Sequence, residues 1–187
     1  MEEEVQLYLD DAIEKMQKAV THFEEELGRV RAGKASTAIL DGINVDYYGN
    51  MTPLAQVSNI NTPDARTIAV QTWEKAMIEP IEKAILSANI GLTPVNNGEM
   101  IRLNIPVLTE ERRKELVKQV KTMGENTRVS IRNARRDAND AFKKMKKEGL
   151  SEDQEKDAEA KSQDETNKYI DKVEKLIERK EKDIMTI

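Results

Sequence analysis

The sequence of 187 residues lacks cysteine and contains a single histidine and only 4% aromatic residues. The absence of cysteine excludes disulfide bonds and thiolate chemistry, and it is consistent with a reducing compartment. Few aromatic residues combined with 35% charged residues favour helices over an all-β core. No apolar run reaches the length of a membrane span, and the acidic N-terminus is unlike a secretory or transit peptide. We therefore expect a cytoplasmic protein that does not bind a membrane.

Sequence features of enzymes are also missing. Neither GxxxxGK[ST] nor GxGxxG occurs in the chain. His22 stands alone inside a predicted helix, where a packing or surface role is the simpler interpretation. Asp137 and Asp140 flank a group of arginines but lack the cluster of oxygen ligands that a metal ion needs. The sequence thus predicts no catalytic residue, no metal site and no cofactor.

Three long segments have the apolar periodicity of amphipathic helices, at about Glu3–Arg31, Leu108–Lys147 and Ser151–Asp183. Such helices cannot bury their apolar stripes alone. The link at residues 148–150 is so short that the last two helices should be antiparallel. The third helix has a weak apolar side in its first turns, which are expected to pack loosely or to overhang. Together the pattern predicts a three-helix bundle.

The segment from Gly33 to Pro106 is different, because it contains all five prolines and five short β-type runs around one helix. Asn97-Gly98 between two of these runs indicates a hairpin. We predict the α+β class, with residues 1–31 and 107–187 as the bundle and residues 32–106 as an inserted α+β domain, a β/α/β sandwich.

The two chain crossings between these domains are candidates for a hinge. Gly33 makes the first crossing soft, and Pro106 restricts the backbone of Ile105 at the second. We therefore expect domain motion about residues 31–34 and 105–107.

Positive charge is concentrated in the second long helix. Leu108–Lys147 holds thirteen lysines and arginines against six acids, although the whole chain has a net charge of −5. On a helical wheel one band lies roughly 130° from the apolar stripe, and its members are Lys114, Lys121, Arg128, Arg132, Arg135, Lys143 and Lys146. Because arginine presents a planar fork of donors that suits phosphate, the band indicates a polyanion-binding face. The alternative is an ordinary solvated helix face.

The aromatic residues have structural interpretations. Trp73 ends a β-type run and is expected to pack in the core or between domains. Tyr47 and Tyr48 are expected to face opposite sides of a strand.

Several longer motifs together make the chain resemble the ribosome recycling factor family over essentially its full length. They are RVRAGKAS at Arg29–Ser36, LDGINVDYYG at Leu40–Gly49, TPLAQV at Thr52–Val57, GLTP at Gly91–Pro94, LTEERRKEL at Leu108–Leu116 and VSIRNARRDAND at Val129–Asp140. One departure is Lys34, where the family usually has arginine.

The resemblance implies an L-shaped molecule with the outline of a tRNA, which binds the ribosome after termination. With elongation factor G and GTP it would split the ribosome into subunits and release mRNA and tRNA, without bond chemistry of its own. The bundle would contact rRNA of the large subunit near the peptidyl-transferase region, and the factor is expected to be a monomer.

Individual residues follow from the same resemblance. The rRNA contacts map to Arg132 and Arg135, and the helical wheel adds Arg128, Asn133 and Arg136. The hinge maps to Arg31, Gly33, Ile105 and Pro106.

Two other functions remain open from the sequence. A coiled-coil adaptor or chaperone would explain the helices but not the arginine band. A nonspecific nucleic-acid binder would explain the band, but the net acidity of the chain argues against it.

Overall fold

The computed structural model describes residues 1–186, which form two compact units. One unit consists of Met1–Ala32 together with the chain from Thr109 onward, and the other is Gly33–Leu108. The first is entirely helical and the second mixes strands and helices, so the predicted α+β class is confirmed.

The helical unit is a bundle of α1 (Glu2–Arg29), α4 (Glu110–Lys147) and α5 (Glu152–Met185). Thr109 caps α4 by accepting the N–H of Arg112 at 3.1 Å, as its position before the first periodic residues predicts. The largest side chains that are fully buried in the bundle are Met16, Val20, Phe23, Ile131, Phe142 and Ile184.

The turn between α4 and α5 is specified by two adjoining capping motifs. The N–H of Leu150 bonds to the carbonyl of Met145 at 3.0 Å and that of Gly149 to Lys146 at 3.2 Å, which is a Schellman motif. Gly149 adopts φ +116°, which a side chain would disfavour. Ser151 then begins α5 in a capping box with Gln154. Two long helices are thereby reversed within four residues.

The buried faces of the helices are wider than the predicted stripes, because each helix packs against two neighbours. Four positions beside those stripes are buried as well, namely Val20, Gly124, Phe142 and Ile177. The first turns of α5 do not pack loosely as predicted. They pack closely against the bundle through small buried residues, namely Ala158, Ser162 and Thr166.

The smaller unit combines a two-stranded hairpin, a four-stranded antiparallel sheet and one helix. The hairpin pairs β1 (Asn44–Tyr47) with β2 (Asn50–Pro53) and is followed by a single helical turn, α2 (Leu54–Val57). The sheet has the order β3-β4-β6-β5, with strands at Ser58–Asp64, Thr67–Thr72, Ile101–Asn104 and Pro94–Asn96. Helix α3 (Ile78–Ser87) buries Ile78, Ile81 and Ile85.

Two local details differ from the sequence prediction. Strand β2 was not predicted, because Asn50–Pro53 is short, polar and ends in proline. Asn97-Gly98 does lie in the β5–β6 hairpin, but Asn96 pairs with Ile101. The loop therefore has four residues rather than the two that the dipeptide suggests.

None of the helices in residues 1–186 is both long and apolar enough to cross a membrane.

Candidate RNA-binding surface

The cationic band of α4 is divided by the neighbouring helix into two parts. Four members of the band lie along α5 and contact its polar side chains, and we call them the seam residues: Lys121, Arg128, Arg135 and Lys146. Next to them on the wheel, Arg132, Asn133 and Arg136 are exposed, and we call these the outer residues. Arg132 belongs to the band and the other two outer residues adjoin it. The remaining members of the band, Lys114 and Lys143, are exposed as well.

Carboxylates of α5 form ion pairs with three of the four seam residues. Lys121 lies 3.6 Å from Glu181, and Lys146 lies 2.8 Å from Glu155. Glu155 is only 8% exposed, so the Lys146 ammonium satisfies a carboxylate that would otherwise be costly to bury. Lys146 therefore stabilises the bundle, whereas the longer and more exposed contact of Lys121 contributes little to stability.

Arg128 is the most constrained of the seam residues. Its side chain is 19% exposed and forms ion pairs with Glu125, at 2.8 Å from Nε, and with Glu174 of α5. Partial burial opposes its charge, but the hydrogen bond to Glu125 and the charge of Glu174 outweigh this effect and raise the pKa of Arg128. Arg128 thus joins α4 to α5 rather than projecting freely.

Arg135 differs from the other seam residues because its partner is neutral. Its guanidinium donates to Oε1 of Gln163 at 2.7 Å. An amide orients the guanidinium but leaves its charge uncompensated, and the remaining N–H groups can still donate to a phosphate. Arg135 is half-buried, so its side chain is positioned before any ligand arrives.

Arg132 is the most available arginine of the predicted pair. Its side chain is 45% exposed, and the carboxylate of Glu125 lies 3.5 Å from one of its terminal nitrogens. Asn133 directly follows Arg132, and Arg136 lies one helical turn further along; both are exposed as well. These three side chains can contact a folded RNA together.

Glu125 is a residue of this surface that the sequence did not single out. It contacts both Arg128 and Arg132, and these arginines, Arg128 first, lower the pKa of its carboxyl. The spacing from Glu125 to Arg128 is three residues, which is a recognisable helical pairing. Gln163 and Glu174 had no such signal, because nothing local in the sequence aligns α4 with α5.

The predicted hinge residues lie near the points where the chain enters and leaves the small unit. Gly33 has φ +73°, and a Cβ atom there would lie 2.9 Å from Cγ of Leu108. The two crossings are therefore adjacent at this point, and glycine is required both by the backbone and by the close approach. Arg31 follows the end of α1 and is exposed.

The turn between β3 and β4 forms backbone hydrogen bonds both with the start of the first crossing and with the residue that follows β6. The N–H of Ala35 donates to the carbonyl of Ala65, and the N–H of Ile105 donates to that of Arg66, each at 2.7 Å. Ile105 is thus fixed to the small unit. The exposed Pro106 is the first residue beyond this attachment.

The aromatic residues are not placed as predicted. Trp73 is 67% exposed, so the expectation of core packing is wrong. Tyr47 ends β1, whereas Tyr48 lies in the following turn with φ +48°. The left-handed turn lets both tyrosines point to Glu74, and each hydroxyl donates to it at 2.8 Å. They do not face opposite sides of a strand.

His22 is exposed and lies 3.2 Å from Glu26. No group of three or more His, Cys, Asp or Glu side chains in residues 1–186 could hold a metal ion.

Comparison with known proteins places the cationic bundle and the inserted unit in one family. The family model for the ribosome recycling factor matches residues 23–185. The chain belongs to the ribosome recycling factor family. Curated relatives named ribosome-recycling factor include those of Phocaeicola vulgatus, 58% identical over 96% of both chains, and Flavobacterium johnsoniae, 51% identical over 100% of both.

Solved structures of recycling factors share the fold. A solution structure of the ribosome recycling factor is 40% identical with a TM-score of 0.80 and covers 98% of both chains. A second structure models the T. thermophilus ribosome recycling factor and the E. coli elongation factor G bound to the E. coli post-termination complex. Its matching chain is 43% identical with a TM-score of 0.63, over 97% of this chain and 99% of that one.

Proposed function

We propose that this chain binds the post-termination ribosome and, with elongation factor G and GTP, splits it into subunits, so that mRNA and tRNA are released. Membership of the ribosome recycling factor family across residues 23–185 is the observation that carries this proposal. A structural relative at 43% identity is described together with elongation factor G on a post-termination complex. The family is one of non-enzymatic translation factors, and GTP hydrolysis belongs to elongation factor G.

The anchor of the factor on the ribosome is the outer surface of α4. Arg132 and Arg136 supply exposed guanidinium groups, Asn133 supplies an amide, and Arg135 is already oriented by Gln163. Guanidinium groups at three- and four-residue spacing can bind successive phosphates or stack on unpaired bases of a folded RNA. Arg128 contributes by holding α4 against α5. The contacted RNA is that of the large subunit near the peptidyl-transferase region.

Shape and backbone contacts would dominate this recognition. The surface lies on a helix of 38 residues, about 57 Å long at 1.5 Å per residue, and it carries no evident element for reading base edges. Acidic residues elsewhere give the chain its net charge of −5 and would repel RNA from other faces. The charge distribution therefore favours one orientation of docking.

Ribosome splitting would require motion of the small unit about the two crossings while the bundle remains bound. The bundle would stay on the large subunit while elongation factor G moves the small unit about Arg31, Gly33, Pro106 and the adjoining end of Ile105. The attachment of Ile105 to Arg66 supports a pivot on the bundle side of that hydrogen bond. The stiff helices would transmit the force to a contact between the ribosomal subunits.

The hinge can be tested by restricting it. The chain has no cysteine, so Arg31→Cys and Val107→Cys create the only two thiols, which a short bis-maleimide can join. The linked protein should bind ribosomes normally and fail to split them, whereas each single-cysteine protein treated with the reagent should split normally. Undiminished splitting by the linked protein would reject the hinge.

Binding tests the anchor separately. The Arg132→Ala/Arg135→Ala double variant should lose ribosome binding and keep its fold, because neither side chain belongs to the buried core. A coiled-coil adaptor would instead bind ribosomes through protein contacts that the double variant leaves intact.

A nonspecific nucleic-acid binder is less well supported. Three of the four seam residues are already paired with carboxylates, which reduces the charge available for summed phosphate contacts. Gel shifts on random duplex DNA at moderate salt should show no complex. We further propose that the factor acts as a cytoplasmic monomer.

A further inference from the structure

The small unit carries an exposed aromatic group that the proposed RNA contacts do not use. Trp73 is 67% exposed and Tyr48 is 72% exposed. Both side chains lie beside Tyr47 and Glu74, and we call these four residues the aromatic corner. Large aromatic side chains contribute strongly to protein contacts when they become buried, and tryptophan and tyrosine are enriched at such interfaces.

Three of the four residues, Tyr47, Tyr48 and Glu74, are held in one arrangement before any partner binds. The hydroxyls of Tyr47 and Tyr48 donate to the two oxygens of Glu74, each at 2.8 Å. The two rings meet edge to face with centroids 4.8 Å apart. The backbone of Glu74 is fixed in turn, because its carbonyl accepts the hydroxyl of Thr72 at 2.8 Å. Little conformational entropy would be lost on binding at such a surface.

A groove of about 360 Å³ opens at the corner, between Trp73, Tyr47, Gln56 and Met77. Among the residues that line it, Glu74 alone is charged. The hydrogen bonds from the tyrosines, that from Tyr47 first, lower the pKa of the Glu74 carboxyl, so it is an anion at neutral pH. A carboxylate has about four lone-pair sites, so two donated hydrogen bonds leave acceptor capacity.

We infer that the aromatic corner binds an arginine side chain presented by another protein. A guanidinium stacks on the faces of tryptophan and tyrosine and can donate to a carboxylate at the same time. The groove provides both features together, an aromatic wall and one anionic acceptor. Lysine fits less well, because its ammonium is compact and strongly hydrated and cannot stack as a plane.

Nucleic acid is the less suitable occupant. Exposed aromatic rings can stack on bases, but single-strand binders accompany their rings with positive charge along the backbone path. Here the ionised group in the groove is Glu74, and Asp46 of strand β1 accepts the N–H of Gly49 at 2.8 Å. Both carboxylates would repel phosphate. This inference does not depend on the proposed ribosomal function.

The chain offers a direct optical test, because Trp73 is its only tryptophan. Fluorescence excited at 295 nm reports on the corner alone. We would titrate the full-length protein with acetyl-Gly-Arg-Gly-Arg-Gly-amide and with the same peptide containing citrulline, which is nearly isosteric but uncharged. The arginine peptide should give a saturable change, and the citrulline peptide should bind about tenfold more weakly.

A matched pair of variants locates the effect. Glu74→Gln should weaken the arginine peptide about tenfold, as expected for a hydrogen bond to a charged group. Glu99→Gln removes the same charge from an exposed position in the β5–β6 loop and should have no effect. Far-UV circular dichroism would check that both variants are folded, and the citrulline comparison needs no variant.

Any of the following results would overturn the inference: no saturable change with the arginine peptide, equal binding of the citrulline peptide, an equal loss in Glu99→Gln, or tighter binding of uridine monophosphate than of the peptide. A fluorescence shift that depends on protein concentration alone would assign the corner to self-association and would likewise refute it. No ribosome takes part, so failure here leaves the proposed function untouched.

Discussion

Arg132 and Arg128 are four residues apart on the same helix, yet their contacts differ, and from these contacts we expect different roles that alanine substitutions can separate. Arg132 is 45% exposed and has one distant carboxylate partner, at 3.5 Å. Such an exposed pair contributes little, so Arg132→Ala should change the free energy of unfolding by less than about 0.5 kcal/mol. The loss of a hydrogen bond to phosphate should cost about 1.5–3 kcal/mol of ribosome binding, roughly a ten- to hundredfold weaker Kd.

Arg128→Ala should show the opposite pattern. Its side chain is 19% exposed and joins Glu125 to Glu174. Both carboxylates remain about half exposed and can be solvated after the change, so the loss of stability should be about 1 kcal/mol. In the intact protein Arg128 would have to leave these partners to reach a phosphate. We therefore expect its removal to weaken ribosome binding by less than about threefold.

The assay measures both quantities for each variant. Urea denaturation followed by far-UV circular dichroism gives the free energy of unfolding, and co-sedimentation with ribosomes at several salt concentrations gives Kd. The slope of log Kd against log salt should fall by about one for Arg132→Ala and stay unchanged for Arg128→Ala. If Arg128→Ala weakened binding as much as Arg132→Ala while stability was retained, the division of the band into seam and outer residues would be wrong.

Three further predictions concern packing, pH and capping. Gly124→Ala should destabilise the bundle by about 1–3 kcal/mol in spite of the better helix propensity of alanine, because the new Cβ would overlap Cδ1 of Ile177. Adding Ile177→Val should recover part of this loss, as measured by urea denaturation. If the two substitutions instead cause additive losses, this contact is not the reason. The pKa of Glu74 is lowered in the folded state from its ordinary value of 4.5. The ionised carboxylate therefore stabilises the fold above that value, and this contribution disappears as the pH falls through the folded pKa. The difference in the free energy of unfolding between wild type and Glu74→Gln should shrink on acidification, and a constant difference would exclude the linkage. Tyr48→Phe should leave the other tyrosine bonded to Glu74 and reduce this pH dependence only in part, whereas full loss would mean that the two hydroxyls act as one unit. Ser151→Ala removes a capping box and should lower the free energy of unfolding by about 1 kcal/mol in the same denaturation assay. An unchanged denaturation midpoint would contradict this prediction.

Local sequence signals predicted the helices and their ends well. Thr109, Gly149 and Ser151 act through their immediate neighbours, so their roles can be recognised without knowledge of the tertiary fold. The apolar stripes were nearly correct for the same reason. Burial against two neighbouring helices widened them to include Phe142 and Gly124.

The properties of the cationic band depended on contacts that a helical wheel does not contain. A wheel places Arg128, Arg132 and Arg135 together, but the axial alignment of α5 decides that Arg128 meets Glu174 while Arg135 meets Gln163. Trp73 shows the same limit in the small unit. Its position beside a strand suggested burial, whereas the fold left it at the surface beside a pair of tyrosines.

The most direct test of the account is subunit splitting. Post-termination ribosomes would be mixed with elongation factor G and GTP, with or without this protein, and light scattering would follow the conversion of whole ribosomes to subunits. The scattering should fall rapidly only when all three components are present, and the Arg132→Ala/Arg135→Ala protein should require a much higher concentration for the same rate. Splitting that proceeds equally well without the protein, or equally well with the double variant, would contradict the account.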